Sequence, residues 1–164
     1  ATTACSGESE TSASSTTVSA QLDEHRVVIG VPSEPELAIV AVLYGQAVAA
    51  RGSTVELAAG TDAFAALVAD QIDLTPQYAA RTLTAPSTGG NVMTQLRAEL
   101  ATRGLIAFEP TESTFQTAEG PDVIAPMLTQ QFAKTYDDLF ESTIDSVTQR
   151  ITSESLGDLV GCIR

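Results

Sequence analysis

The sequence has little positive charge, few aromatic residues and very few metal-ligating side chains. Eight Lys and Arg stand against 21 Asp and Glu in 164 residues, so the formal net charge is −13. Nucleic-acid surfaces and polybasic membrane patches need the opposite sign, because Lys and Arg neutralise phosphates. One histidine and two cysteines exclude multi-His and Cys-cluster metal sites. We therefore predict no nucleic-acid partner and no metal.

The sequence also lacks the motifs of common catalytic and nucleotide-binding sites. It contains neither a G-x-G-x-x-G nor a Walker A pattern, and no nucleophile elbow. The one histidine, His25, stands beside a polar segment without a nucleophile motif that would use it. No apolar run reaches the roughly 18 residues of a membrane span. These absences predict a protein that is not an enzyme and needs no cofactor.

The first 25 residues differ in composition from the rest. Small residues lead into Cys5, and this start resembles the lipidation site of bacterial lipoproteins, which favours a lipid anchor on Cys5. The alternatives are a disulfide between Cys5 and Cys162, or a cysteine in a plain tail. Residues 6 to 22 are mostly Ser, Thr, Ala and Glu, too polar to bury a core. We predict a disordered tether over 1–25, with an added cloning tail as the alternative.

A globular pattern begins at Arg26. Val27–Val31 is a continuous apolar run with Gly30 near its end, and such a run is typical of a buried strand. Ser33 as a cap and Pro35 in the first turn predict the start of a helix that reaches about Arg51. The pattern then predicts a strand over 54–59, a helix over 63–70, and a strand over 72–75 that Pro76 ends. This β-α-β-α-β order predicts a parallel sheet covered by helices.

The second half of the sequence continues this alternation and then turns helical. The pattern predicts a helix over 92–103, a strand over 105–108, a polar stretch over 109–121 and helices from there to the end. Thr152 or Ser153 caps the last of these helices. We therefore predict one α/β domain over 26–164. Its expected parts are a mainly parallel sheet of about four strands, helices on both faces and a helical C-terminus.

Several segments match one known family in order and spacing. They are the strand and loop Ile29–Glu36, the helix segment Tyr44–Val48, the segment Ile72–Ala80 and the strand Gly104–Pro110, with Thr143–Leu159 as a looser match. Together they resemble the substrate-binding proteins of glycine betaine/choline (osmoprotectant) ABC transporters. The resemblance implies a type 2 periplasmic-binding-protein-like fold. It also implies an extracytoplasmic location and a membrane permease as partner.

The sequence departs from this family in two ways. Its members hold the ligand between two α/β lobes, and only about twenty residues, 111–130, stand where the second lobe would be. An α/β lobe needs at least about 50 residues, so the sequence predicts a single lobe. The family's binding-site signature is also altered, with Gln77, Ala79 and Ala80 replacing its Glu, Thr and Gly. Ser33-Glu34 replaces the Asn-Phe of the first loop.

The resemblance implies a set of ligand-binding positions. Tyr78 lies where the family has a binding-site tyrosine, at the carboxyl edge where open α/β sheets bind ligands. Aromatic rings hold quaternary ammonium ions by cation–π attraction, and carboxylates strengthen it. The candidates are Tyr78, Ser33, Glu36, Gly60, Thr61 and Asp62, the last three as a helix start that offers N–H groups. The alternatives are packing for Tyr78 and ordinary helix-start roles for the others.

Two functions follow as hypotheses. The first is a lipid-anchored binding module for a small quaternary ammonium osmolyte. The second is a degenerate binding fold without a ligand, which docks on a membrane complex of the cell envelope. Rings that converge near Tyr78 would favour the osmolyte, and a large exposed apolar face would favour docking.

Overall fold

A computed structural model describes residues 26–60, 62–85, 91–118, 120–136 and 138–163. The described strands are β1 (Arg26–Val31), β2 (Thr54–Ala59), β3 (Leu74–Tyr78), β4 (Leu105–Ala107), β5 (Thr111–Thr117) and β6 (Gly120–Thr129). The described helices are α1 (Pro35–Ala49), α2 (Ala63–Val68), α3 (Ala79–Thr82), α4 (Val92–Ala101), α5 (Gln130–Thr135), α6 (Asp138–Thr148) and α7 (Ser153–Ile163). The predicted tether over 1–25, including Cys5, and the candidate Thr61 lie outside these ranges.

The strands form one mixed sheet in the order β2-β1-β3-β6-β4, and β5 also pairs with β6. The strand β1 pairs in parallel with β2 and β3, whereas β6 is antiparallel to β3, β4 and β5. Five strands therefore run in one direction and β6 runs in the other. The predicted α/β class with a mainly parallel sheet is confirmed, although the sheet has six described strands rather than about four.

Two apolar cores lie on opposite faces of the sheet. Side chains of β6 alternate between them: Ile124 and Leu128 enter the core beneath α1, α6 and α7, whereas Ala125 and Met127 enter the core beneath α2 and α4. The first core contains Tyr44, whose hydroxyl lies 3.2 Å from the Thr148 hydroxyl. These buried positions confirm the predicted helices on both faces and the core position of Tyr44.

The main correction to the sequence prediction concerns residues 109–130. We expected a polar connection followed by helix, but this segment forms the hairpin β5–β6 and completes the sheet. Prolines explain part of the difference, because Pro126 lies inside the apolar run and is disfavoured in a helix interior. The glycine at the start of β6, Gly120, has a φ of +127°, which suits the turn before the strand.

Smaller corrections concern the ends of two elements. The strand β3 runs through Pro76, which we expected to end it. Pro76 lies opposite Pro126 in β6, and neither residue has an N–H that needs an acceptor. Glu34, not Ser33, is the N-cap of α1, and no side chain bonds to that end of the helix. Pro35 does begin α1, as predicted. Within the described ranges, no helix has both the length and the apolar character that crossing a bilayer requires.

Candidate functional site

The candidate residues gather at one edge of the sheet. The strands β1 and β3 run in parallel, so their carboxyl ends bring the loop before α1 close to Tyr78. Because β6 is antiparallel to β3, the beginning of β6 reaches the same edge, with Ile124 opposite Tyr78. This edge therefore joins residues from four elements: α1, β3, α3 and the β5–β6 hairpin.

The structure joins two predicted site residues, Tyr78 and Glu36, directly. The Tyr78 hydroxyl donates to Glu36 Oε2 at 2.7 Å, and the Ser113 hydroxyl donates to the same oxygen at 3.2 Å. The Thr114 N–H donates to Glu36 Oε1 at 2.6 Å. Glu36 is only 5% exposed, and both of its carboxyl oxygens accept hydrogen bonds from the protein. This network fastens α1, β3 and β5 together.

Tyr78 itself is covered by the hairpin and by a cation. The Phe115 ring packs on the Tyr78 ring with centroids 5.1 Å apart. The Arg81 guanidinium carbon lies 4.9 Å from the Phe115 centroid and 5.4 Å from the Tyr78 centroid. Arg81 also approaches Glu34 at 3.9 Å. Two rings thus converge near Tyr78, and the chain's own guanidinium occupies the position over them.

The pKa of the Tyr78 phenol lies well above its ordinary value. Burial is the largest cause, and the hydrogen bond to Glu36 and the negative charge of that residue add to it. Arg81 opposes these effects. The phenol therefore stays protonated through the neutral range and acts as a hydrogen-bond donor. A donor with this pKa fixes the network but is not suited to act as an acid or base near neutral pH.

The other predicted site residues lie apart from this network. Asp62 caps α2 by accepting from the Ala65 N–H at 2.8 Å, which is the ordinary helix-start role. Gly60 is exposed at the end of β2. Ser33 is exposed and donates to Glu34 at 3.4 Å, so it contributes to the surface beside Arg81. The structure therefore unites Tyr78 with Glu36, and it leaves Gly60 and Asp62 at the neighbouring strand end.

A cavity of about 750 Å³ opens beside α3 at this edge. Its walls include Leu83, Val92, Met93 and Val123, and its polar lining includes Arg81, Asn91 and Asp122. An apolar pocket with a few charged groups is the usual form of a small-ligand site. Among the described residues, no group of three or more His, Cys, Asp or Glu is placed to hold a metal.

Asp122 lines this cavity and has one carboxyl oxygen without a described partner. The residue is 3% exposed. Its Oδ1 accepts hydrogen bonds from the Ala80 N–H at 2.9 Å and from the N–H of the next residue, Val123, at 2.8 Å. Its Oδ2 is buried and has no hydrogen-bond partner in the part of the chain that the structure describes. Buried polar atoms nearly always have a partner, so this oxygen marks a position for a missing donor.

Sequence reasoning missed Arg81 and Asp122 as site residues. Arg81 follows Tyr78 by three residues, and on a short helix this spacing could have indicated that the Arg81 side chain lies over the Tyr78 ring. Asp122 lies between Pro121 and an apolar run, where we expected a helix to begin. Its position became clear only once that run was known to be a strand beside β3.

No protein-family profile matches the sequence, and no curated protein matches it. Solved structures do share the fold. One is a TRAP periplasmic solute-binding protein from Ralstonia eutropha H16 with bound (S)-2-acetolactate, with a TM-score of 0.54 and 8% identity over 84% of this chain and 79% of that chain. Another is a TRAP periplasmic solute-binding protein from Bordetella bronchiseptica with density interpreted as pantoate. It also has a TM-score of 0.54 and 8% identity, over 84% of this chain and 82% of that chain.

These similarities define the class of fold. The chain has a periplasmic-binding-protein-like α/β fold, as the sequence predicted. They do not distinguish the osmoprotectant family from other proteins with this fold, because identity at this level carries information about the fold alone.

Proposed function

We propose that this chain is a non-catalytic, extracytoplasmic solute-binding module that serves a membrane transporter. On this proposal it is a single lobe, and it holds a small solute in the cavity beside α3. The fold supports this function, because the solved proteins that share it are named as solute-binding proteins. A membrane permease is the partner that such a module would supply.

The observation that carries the proposal is the lining of the cavity. Its volume of about 750 Å³ suits a small organic molecule, and apolar walls surround two groups of opposite charge. Arg81 offers N–H donors at one place, and Asp122 offers an acceptor at another. The cavity opens at the carboxyl edge of β3, where sheets of this type bind their ligands.

A quaternary ammonium osmolyte is the ligand class that the sequence resemblance favours. The Tyr78 and Phe115 rings support a cation at this edge, since Arg81 already lies over them. An osmolyte that used the ring faces would have to compete with this guanidinium. We therefore expect Arg81→Ala to strengthen binding of choline or glycine betaine if the rings form the site.

Titration calorimetry tests the proposal. The protein is titrated with glycine betaine, choline, carnitine and proline betaine up to millimolar concentrations, and then with a wider panel of amines, amino acids and small carboxylates. Saturable heat that is weakened by Val123→Trp, which fills the cavity, supports a working site. Leu57→Trp, on the exposed side of β2, is the matched control. Absence of heat with every solute would overturn the solute-binding function.

A docking role on an envelope complex is the second candidate. One observation favours it: Phe115 and Arg81 cover Tyr78, so the ring site is filled by the chain itself. Phe115 remains 38% exposed, which leaves an aromatic surface at the same edge. The docking role predicts no saturable heat with any solute, and it predicts that Phe115→Ser abolishes co-purification with a defined permease complex.

Attachment to the membrane is a separate part of the proposal. The sequence has two cysteines, Cys5 and Cys162, and Cys5 lies outside the described residues. A disulfide sulfur cannot also carry a thioether-linked lipid, so pairing of Cys5 with Cys162 and lipidation of Cys5 exclude each other. The intact mass of membrane-extracted protein decides, because a lipid raises the mass and a disulfide lowers it by two hydrogens.

A further inference from the structure

We propose that the cavity selects an organic ammonium ion that carries N–H donors, and that Asp122 Oδ2 is its anchor. This inference deepens the proposed function and rests on it. It also narrows the ligand class, because it separates primary and secondary ammonium ions from the quaternary ammonium osmolytes.

The protein supplies hydrogen-bond donors to one oxygen of the Asp122 carboxyl group and to the other it supplies none that is described. Two backbone N–H groups, from Ala80 and Val123, already bond to Oδ1 and fix the plane of the group. Oδ2 faces no donor within the described residues. A buried acceptor without a partner is costly, and a ligand that supplies the donor removes that cost. The protein has therefore positioned an acceptor and left its second bond open.

Asp122 Oδ2 restricts the chemistry of the group that can bind it. A carboxylate oxygen only accepts hydrogen bonds, so its partner must carry N–H or O–H. A positively charged N–H donor makes the stronger bond, and it also balances the buried negative charge. A quaternary ammonium ion has carbon on all four positions and leaves Oδ2 unsatisfied. The formal net charge of −13 favours the approach of a cation as well.

The other residues that line the cavity restrict the rest of the ligand. The walls formed by Leu83, Met93 and Val123 suit an apolar body attached to the ammonium group. Arg81 also lines the cavity, and its charge is partly balanced by Glu34 at 3.9 Å. N–H groups of Arg81 that remain available would bind a carboxylate on the same solute. A compact amino acid with an apolar body therefore fits the charges better than a simple amine does.

Two matched pairs of solutes test the inference in the unaltered protein. L-proline and proline betaine share the ring, the carboxylate and the positive charge, but only proline has N–H. Pyrrolidinium and N,N-dimethylpyrrolidinium repeat this comparison without the carboxylate. We expect the N–H member of each pair to bind about 10- to 100-fold more tightly, which corresponds to one charge-assisted hydrogen bond. The proline pair should bind more tightly than the pyrrolidinium pair if Arg81 contributes.

The variant Asp122→Asn tests the anchor itself. The amide keeps an acceptor for Ala80 and Val123 but turns an NH₂ group toward the ligand. We expect proline to bind about 10- to 100-fold more weakly to this variant. The matched control is Asp73→Asn, since Asp73 also accepts a backbone N–H, from Val28 at 2.8 Å, and does not line the cavity. This control should bind proline as the unaltered protein does.

The outcomes separate the inference from the proposed function. Equal binding of both members of a pair, or unchanged binding by Asp122→Asn, overturns the anchor and leaves a solute-binding role. The same holds if a carboxylate without an amine, or a quaternary ammonium ion, is the tightest ligand in the wider panel. If no solute in that panel binds, the proposed function itself fails. The solute pairs read the contact without any variant, so a folding defect in Asp122→Asn does not decide the test.

Discussion

Removal of the Glu36 carboxyl group should destabilise the fold more than any surface substitution. Glu36→Ala leaves three donors without an acceptor: the hydroxyls of Tyr78 and Ser113 and the N–H of Thr114. Each buried donor left unpaired costs about 1–3 kcal/mol. The costs do not add fully, because a hydroxyl can turn toward another acceptor. We therefore expect the free energy of unfolding to fall by about 3–5 kcal/mol.

Urea unfolding followed by circular dichroism measures this loss. Natural domains unfold with about 5–15 kcal/mol, so a loss of this size shifts the midpoint strongly or prevents folding. Glu36→Gln keeps the shape and one acceptor oxygen, and we expect it to cost about 1–2 kcal/mol. Glu34→Gln is the matched control, because Glu34 lies two residues before Glu36 and its side chain is partly exposed, and we expect a change below about 0.5 kcal/mol.

A double-mutant cycle between Glu36→Gln and Tyr78→Phe isolates the central bond of the network. The two side chains are joined at 2.7 Å, so we expect a coupling energy of about 1 kcal/mol or more. A loss below about 1 kcal/mol for Glu36→Ala would refute the reasoning. So would a coupling energy near zero. Either result would mean that the hairpin β5–β6 is held by its strand pairing and does not need this carboxyl group.

Three further predictions concern pH and packing. Burial raises the pKa of Tyr44 and Tyr78 above the ordinary value of 10.0, so above pH 10 the unfolded chain loses protons that the native state keeps. The free energy of unfolding should then fall with pH, and Tyr44→Phe should lessen the slope by about 1.4 kcal/mol per pH unit in alkaline urea titrations. Burial likewise raises the pKa of Asp73 above 3.8. The contribution of Asp73 to the free energy of unfolding is therefore lost as the pH rises through this raised pKa. Asp73→Asn should flatten the dependence of stability on pH in this acidic range. Gly30→Ala places a methyl group against the Ile72 side chain and 3.2 Å from the Ala63 Cβ, whereas Gly60→Ala meets nothing within 4 Å, so thermal melts should show a loss of about 1–3 kcal/mol for the first and little for the second.

The hydropathy pattern predicted the first half of the fold well. The strand β1 is a continuous apolar run, β2 alternates and α1 begins at Pro35, and short connections leave few ways to arrange these elements. The hairpin was hidden for a physical reason. The buried positions of β5 include Thr111 and Ser113, so the strand lacks the apolar alternation that marks a half-buried strand. In β6 the apolar run is compatible with a strand or a helix, and the neighbouring strands decide between them.

Two residues at this edge were predictable, but their contact was not. Tyr78 and Glu36 were both candidates, yet nothing in a separation of 42 residues reveals that one donates to the other. This contact changes what each residue can do. A phenol bonded to a buried carboxyl group under an arginine is a structural link, so the proposed recognition of a solute falls to groups that keep an open bond.

Asp122 is the described residue at this edge that best meets that requirement. Tyr78 and Glu36 satisfy each other, whereas Asp122 Oδ2 stays buried without a described partner at the wall of a cavity. The two sites are also coupled through the chain, because Ala80 and Arg81 stand two and three residues after Tyr78. The Tyr78–Glu36 network thus holds the short segment that supplies both an N–H to Asp122 and the guanidinium at the cavity. Loss of Glu36 should therefore weaken solute binding even though Glu36 does not reach the solute, and an unchanged affinity in a folded Glu36→Gln variant would break this link.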